Sequence, residues 1–282
     1  MTTLVFTAVI CAALLHAGWN ALVKGGNDKL VSMTAVVMGH GPFGLAAVLF
    51  SPLPDVACLP YVVAGVGLHV GYQVLLLSSY RVGDLTQVYP IARGVAPLVV
   101  VAVSVLLLGV PLGLMEQLAV VVIAAGIMSL SLVRHGDGLR NGRATALALA
   151  TGCFIAGYSL VDGTGARVAG TALGYYGWLT MGNVLVFGVL ASWRRPGVLR
   201  TVVTRSGRLL VLGGGASYIA YSLVIWAFTQ APIALVTALR ETSIVFALLI
   251  GVFFLKEPLN LAKLASTLVT LAGAALMRLA RH

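Results

Sequence analysis

Residues 84–109 read DLTQVYPIARGVAPLVVVAVSVLLLG, with Arg93 set between Pro90 and Pro97 in a run otherwise apolar enough to span a bilayer. Residues 231–256 read APIALVTALRETSIVFALLIGVFFLK, and a shift of 147 carries Arg93 onto Arg240. The same shift carries Pro111-Leu112 onto Pro258-Leu259, Ala125-Gly126 onto Ala272-Gly273, and Arg134-His135 onto Arg281-His282. Nearer the start of each half, a shift of 139 sets Ala17-Gly18-Trp19 against Ala156-Gly157-Tyr158. Apolar helices match one another easily by chance; colinear Arg, Pro and Gly landmarks do not. The chain reads as two copies of one unit.

Around these stretches, 60% of the 282 residues are hydrophobic and 9% are charged, with a mean hydropathy of +1.02. A soluble domain carries roughly a quarter charged residues, so a water-soluble globule is excluded. At about 20 residues per span, the first five apolar runs are 3–23, 30–50, 58–80, 84–109 and 112–133. The second five are 144–162, 171–192, 209–229, 232–255 and 259–279, with polar or Pro/Gly-rich separators such as 162–170 and 193–208. No ten-residue alternation recurs, which argues against a transmembrane barrel. The expected fold is an all-α integral membrane protein of ten transmembrane helices. It divides into five-helix repeats at 1–134 and 144–282, joined by a basic linker at 135–143. Five is odd, so the second repeat enters the membrane in the opposite sense. Inverted repeats are a common architecture of secondary transporters, with the site near the midplane between the copies.

The 18 Lys and Arg outnumber the 8 Asp and Glu, giving a formal net charge of +10. No basic stretch is interleaved with aromatics, as nucleic-acid binding would require. Most cations stand between apolar runs, where they report topology. One side of the ten-span arrangement holds Lys24, Lys29, Arg81, Arg134, Arg140, Arg143, Arg194, Arg195, Arg200, Arg205, Arg208, Lys256 and Lys263; the other holds Arg167, Arg278 and Arg281. That excess makes the first side cytoplasmic and places both termini outside. Cys11, Cys58 and Cys153 have no paired spacing, against a disulfide framework or zinc site. The first run has no preceding Lys or Arg, unlike a secretory signal, and is expected to stay as a span. No His-Glu-x-x-His, Gly-x-Ser-x-Gly or nucleotide-binding loop occurs. The expectation is therefore no enzyme and no cofactor. The expected partners are a small molecule and the bilayer, and the chain a monomer or weak homodimer.

Arg93 lies about nine residues past Asp84, some 13 Å deep at ~1.5 Å per residue, near the middle of a ~30 Å core. Arg240 is similarly deep after Pro232. A central arginine costs about 2.5–3.5 kcal/mol on insertion scales, so each needs a polar partner or a watery cavity. Either they hold an anionic substrate group, one from each half, or they form internal ion pairs or helix-carbonyl clamps. Glu241 follows Arg240 and should point about 100° away from it. It is read as neutralising Arg93 or carrying a coupling proton. His16, four residues before Asn20, is read as a proton relay, a substrate hydrogen bond or an interhelical bond.

His69, Tyr72, Gln73, Ser79 and Tyr80 share a face of the third span, and Tyr218, Tyr221, Ser222 and Trp226 make a comparable stripe on the eighth. Tyr175, Tyr176 and Asn183 on the seventh are further candidates. The candidate substrate-binding set is Arg93, Arg240, Tyr72, Gln73, Tyr89, Tyr221 and Trp226, with Glu241 and His16 for proton coupling or charge balance. No metal site is expected. Pro90 and Pro97 each remove a backbone donor and are expected to loosen the helix around Arg93.

The chain resembles the EamA-type members of the drug/metabolite transporter superfamily. His16-Ala17-Gly18-Trp19-Asn20 is similar to their first-helix signature, and Gly83-Asp84-Leu85-Thr86-Gln87-Val88-Tyr89-Pro90-Ile91-Ala92-Arg93-Gly94 to that of the fourth helix. Arg240-Glu241-Thr242-Ser243, with Gly251 and Leu255-Lys256-Glu257-Pro258-Leu259, resembles the ninth helix and its glutamate–proline turn. The first half departs from that pattern, with Val110-Pro111 where the second has Glu257-Pro258. The resemblance implies two EamA domains, alternating access in a bacterial inner membrane, and movement of small metabolites, often outward. The expected function is a secondary transporter of an anionic or zwitterionic, amino acid-like metabolite, exporting with protons or as a uniporter. The alternatives are a channel-like or structural membrane protein and, further off, an intramembrane enzyme.

Overall fold

The computed structural model describes residues 1–24, 28–82, 85–130, 142–254, 256 and 261–280. The expectations for Gly83-Asp84, the linker up to 141, Glu257-Pro258, and Arg134-His135 with Arg281-His282 lie outside the described residues. Those described are helical, with no strand among them. In chain order the helices are α1 (Thr3–Lys24), α2 (Lys29–Gly39), α3 (Gly41–Phe50), α4 (Leu59–Val82), α5 (Leu85–Leu106) and α6 (Leu114–Ser129). The later ones are α7 (Gly142–Val168), α8 (Ala172–Arg194), α9 (Val198–Arg205), α10 (Gly214–Gln230), α11 (Ile233–Arg240), α12 (Ser243–Phe253) and α13 (Leu261–Leu279).

Among them are 8 stretches long and apolar enough to cross a membrane, with Lys29–Phe50 covering α2 and α3 and Ile233–Phe253 covering α11 and α12. Two shorter apolar helices, Leu114–Ser129 and Leu264–Leu279, fall where the sequence puts the fifth and tenth spans. The protein is a multi-pass helical membrane protein. Its outer surface agrees: Leu49, Phe50, Leu107, Trp193 and Phe253 stand exposed, a cost in water but not against acyl chains.

The helices pack mainly across the chain's midpoint. α1 packs on α10, α11 and α12, and α4 and α5 pack on α7. α3 and α4 meet α8, α2 meets α10, and α6 meets α13. Small residues set the closest approaches. A Cβ on Gly126 would lie 2.8 Å from Thr270 Oγ1, and one on Gly273 would lie 2.9 Å from Ile123 N. The Ser266 hydroxyl donates to the Gly126 carbonyl across the same contact. Where α2 crosses α10, the backbones themselves touch: a Cβ on Gly214 would lie 2.6 Å from Gly39 Cα. A wide π-turn at Leu209–Gly213 precedes this crossing.

Three expectations are corrected. The sixth span does not end at 162, because α7 runs on to Val168 and takes Gly142 and Arg143 from the linker. Gly163 and Gly165 are packing residues, not turn residues: a Cβ on Gly165 would lie 2.6 Å from Tyr61 Cβ. Arg167 is therefore helical, and its Nε and Nη2 donate at 2.8 Å to the Phe228 and Ala231 carbonyls at the end of α10, capping that helix. The separator 193–208 contains α9, which buries Val198 and Val202 while Arg200 and Arg205 face out. Finally, α5 stays continuous through Pro90 and Pro97; it is the copy without internal proline that breaks, between α11 and α12.

At that break the backbone bonds tighten to i→i−3. Glu241 N–H donates to Ala238 O at 3.0 Å, Thr242 N–H to Leu239 O at 3.0 Å, and Val245 N–H to Thr242 O at 2.9 Å. The Thr242 hydroxyl adds a bond to Leu239 O at 2.7 Å. A side chain competing for the helix carbonyls, beside two charges, accounts for the interruption.

At the surface, Asp28 caps α2 by accepting from Val31 N–H at 3.1 Å and pairs with Arg195. Partial burial pushes its carboxyl up, but the Val31 N–H and the Arg195 guanidinium outweigh this and hold it below the usual range.

Candidate functional site

The broken helix places two charges in the protein interior, and α5 adds a third. Arg240 ends α11, Glu241 forms the turn and Ser243 opens α12. This order suits the peptide dipoles, with a cation at a helix C-terminus and an anion beside the next N-terminus. From α5, Arg93 Nε reaches Glu241 Oε2 at 2.7 Å, and its Nη2 donates to Ser243 Oγ at 3.1 Å. Arg240 Nη2 lies 3.7 Å from Glu241 Oε1, an ion pair too long to be a hydrogen bond. The two neighbours were expected to point apart, as on a regular helix; the tightened turn brings them together.

All three groups are buried: 7% of Arg93, 3% of Arg240 and 1% of Glu241 is exposed. Two guanidinium ions and one carboxylate leave one positive charge in excess. The excess resides on Arg240, whose Nε and Nη2 find no hydrogen-bond partner among the described residues. Arg93 is the satisfied member, pairing with Glu241 and Ser243 and lying 5.8 Å from the ring centre of Tyr89. A buried, unsatisfied donor set is costly, and the carboxylate oxygen 3.7 Å away, Glu241 Oε1, likewise makes no hydrogen bond among the described residues.

Arg240 lines a cavity of about 810 Å³, its open mouth included, bounded by α1, α2, α4, α5, α7, α8, α10 and α11. His16, Tyr72, Gln73, Arg93 and Tyr221 line the same space. So do Trp19, His40, His69, Tyr158, Tyr176 and Asn183. The wall offers further unmet polar atoms, Trp19 Nε1, Gln73 Oε1, Asn183 Oδ1 and His40 Nε2. Tyr221 carries the Arg240 guanidinium 6.0 Å from its ring centre, within cation–π range. A second cavity shares His16, Trp19, Tyr72 and Arg93, adds Tyr89, and runs on past Asn20 and Val23 to Lys29. Beside the first, Tyr176 stacks on Tyr218 at 4.8 Å and Phe43 on Tyr218 at 5.6 Å.

Of the candidate residues, the structure brings Arg93, Arg240, Tyr72, Gln73, Tyr221, His16 and Glu241 together, and Tyr89 adjoins them. Trp226 lines neither cavity; it packs against the hydrophobic cluster that includes Phe228 and Leu235. Five residues at about 100° each turn it some 140° away from Tyr221. Asp162 was missed. Fully buried on α7, it holds His69 Nε2 at 2.8 Å and accepts from the Tyr221 hydroxyl at 2.7 Å. The sign in the sequence was Tyr158, one helical turn before it, which also lines the cavity. The described residues include no cluster of His, Cys, Asp and Glu able to hold a metal ion.

The described helices form a membrane-spanning bundle with a charged interior cavity. Residues 143–279 match the EamA-like transporter family, so the second half of this chain is an EamA domain and the resemblance read from the sequence is borne out there. The family is one of small-molecule membrane transporters, not of enzymes. Comparison with curated proteins finds no match. Among solved structures, one described only as a crystal structure of a protein is similar at a TM-score of 0.71 and 19% identity. It covers 99% of this chain and 96% of that one, a likeness of fold.

Proposed function

We propose that this chain is a secondary transporter that binds a small anionic or zwitterionic metabolite in the central cavity, with Arg240 as the principal anion donor. The observation that carries this reading is Arg240, which lines the cavity and whose buried Nε and Nη2 make no hydrogen bond among the described residues. Arg93 and Glu241 then act as the charge-balancing pair, and Tyr72, Gln73 and Tyr221 shape the cavity.

In this reading the chain consists of two inverted five-helix repeats, 1–134 and 142–282, joined by the basic segment 135–141. Reciprocal packing supports it: α1 with α10 mirrors α4 with α7, and α6 meets its counterpart α13. Alternating access follows from rocking one repeat against the other. The excess of Lys and Arg on one side supports both termini outside, and the bacterial inner membrane is what the family resemblance implies. The second cavity reaches Lys29 on the side read as cytoplasmic, while the Phe43–Tyr218–Tyr176 stack lies deeper, which supports an inward-open arrangement. Export, with protons or as a uniporter, is the direction the resemblance favours, and the chain acts as a monomer or weak homodimer.

A thermal-shift screen of small anions, amino acids and nucleosides on the detergent-solubilised protein tests this. A ligand at a hundred times its dissociation constant adds about 2.7 kcal/mol of apparent stability. A hit is expected to vanish in Arg240→Ala and to accumulate saturably in proteoliposomes. A hit that stabilises Arg240→Ala as well as the parent removes Arg240 from the site, and unsaturable ohmic currents indicate a channel.

A further inference from the structure

The carboxylate of Asp162 has no role in the anion site, yet it is entirely buried. Its Oδ2 lies 2.8 Å from His69 Nε2 and accepts from the Tyr221 hydroxyl at 2.7 Å; its Oδ1 lies 3.4 Å from the Tyr175 hydroxyl. Among the described residues, the imidazole of His69 is the one basic group within ion-pair distance. Phenols supply hydrogen bonds but no charge. A carboxylate held in the interior without a cation costs several kcal/mol, and the imidazole beside it is the group placed to offset that cost by carrying a proton. The pair is neutral with that proton and carries a full negative charge without it.

We propose that His69 and Asp162 form the proton-binding site of this protein, holding one exchangeable proton whose movement is coupled to the transport described above, a reading on which this inference rests. Access supports the assignment. The His69 side chain is 13% exposed and lines the cavity, whereas that of Asp162 is 0% exposed, so the imidazole stands between the cavity and the carboxyl. His69 comes from α4 in the first half and Asp162 from α7 in the second, so the proton bridges elements that must move relative to one another. Tyr221 joins the two sites, with its hydroxyl on Asp162 and its ring beside Arg240. A proton on the pair cancels a negative charge near the anion donor, so proton and anion favour each other's binding.

Phenols from four helices stand around the pair. Tyr72 comes from α4, Tyr158 from α7 (stacked on His69 at 4.3 Å), Tyr175 and Tyr176 from α8, and Tyr218 and Tyr221 from α10. His40, between α2 and α3, and Arg240, at the end of α11, share the cavity wall; Arg93 lies beyond them, already paired. Glu241 suits proton carriage less well, because guanidinium groups at 2.7 and 3.7 Å already balance it.

The test needs no substrate. The full chain is reconstituted in liposomes on a solid-supported membrane and given a pH jump, and the transient current from protons entering the protein interior is recorded. The parent is expected to give such a displacement, and Asp162→Asn and His69→Gln to fall to the level of empty liposomes. Retention of the displacement in either correctly folded variant overturns the assignment; should Asp162→Asn fail to fold, His69→Gln decides alone. No displacement in the parent also overturns it. Because no anion is present, these outcomes stand apart from the fate of Arg240 in the binding screen.

Discussion

Replacing Glu241 by Gln keeps the shape of the side chain and removes the anion that Arg93 and Arg240 share. The pair distances of 2.7 and 3.7 Å correspond to gross attractions of about 6 and 4.5 kcal/mol at an effective dielectric of ~20. Desolvation offsets much of this, and orphaning one member of a buried pair costs about 3–5 kcal/mol in practice. Glu241→Gln leaves two unpaired cations, so the upper part of that range applies. For a chain of this size the loss corresponds to a fall in melting temperature on the order of 10 °C. Arg93→Met is the informative contrast. It leaves Glu241 to Arg240, a neutral pair, and is expected to cost only about 1–2 kcal/mol, chiefly the bond to Ser243. It should also abolish anion stabilisation, because Arg240 then turns to the carboxylate. Thermal unfolding in detergent, followed by tryptophan fluorescence with and without an anion from the screen, reads both effects. Glu241→Gln melting within about a degree of the parent, or Arg93→Met proving the costlier change, would refute the charge count at this site.

Two further outcomes follow from the packing and the surface. Gly126→Ala and Gly273→Ala each force a methyl group against the opposing helix, at 2.8 Å from Thr270 Oγ1 and 2.9 Å from Ile123 N; each should destabilise by about 1–3 kcal/mol, as overpacking does, in the same melting assay. The depressed carboxyl of Asp28 contributes stability that is present above the unfolded value near ~4 and is lost as pH falls through the lower folded value. Asp28→Asn keeps a competent helix cap and should flatten that acid-side loss; the effect is small, because the carboxylate is 42% exposed and screened. An unchanged acid slope in the variant assigns the loss to other groups.

Much of this molecule was legible because a bilayer imposes a coarse constraint. Apolar runs of about 20 residues marked most of the helices, and Gly126 and Gly273, which the sequence shift of 147 pairs, sit at corresponding places in the α6–α13 contact. The pairing of Arg93 with Glu241 was also readable, since a buried cation needs an anion and few were on offer. What sequence periodicity could not supply was the departure from a regular helix. Arg240 and Glu241 point apart on an ideal helix, and only the i→i−3 turn brings them within 3.7 Å. Asp162 was hidden by its neighbours. Gly163, Thr164 and Gly165 look like a loop, yet the glycines are there because Ile233, Tyr61 and Tyr175 press against the helix. Trp226 was misread for the opposite reason, a face drawn too wide.

The crossing of Gly39 and Gly214 constrains any second conformation of this protein. With only hydrogen atoms between the two chains there, α2 and α10 have no side chains to re-sort and no slack to take up. They cannot draw nearer at that point, so in the transport cycle proposed above their relative movement is confined to swivelling about it or parting from it.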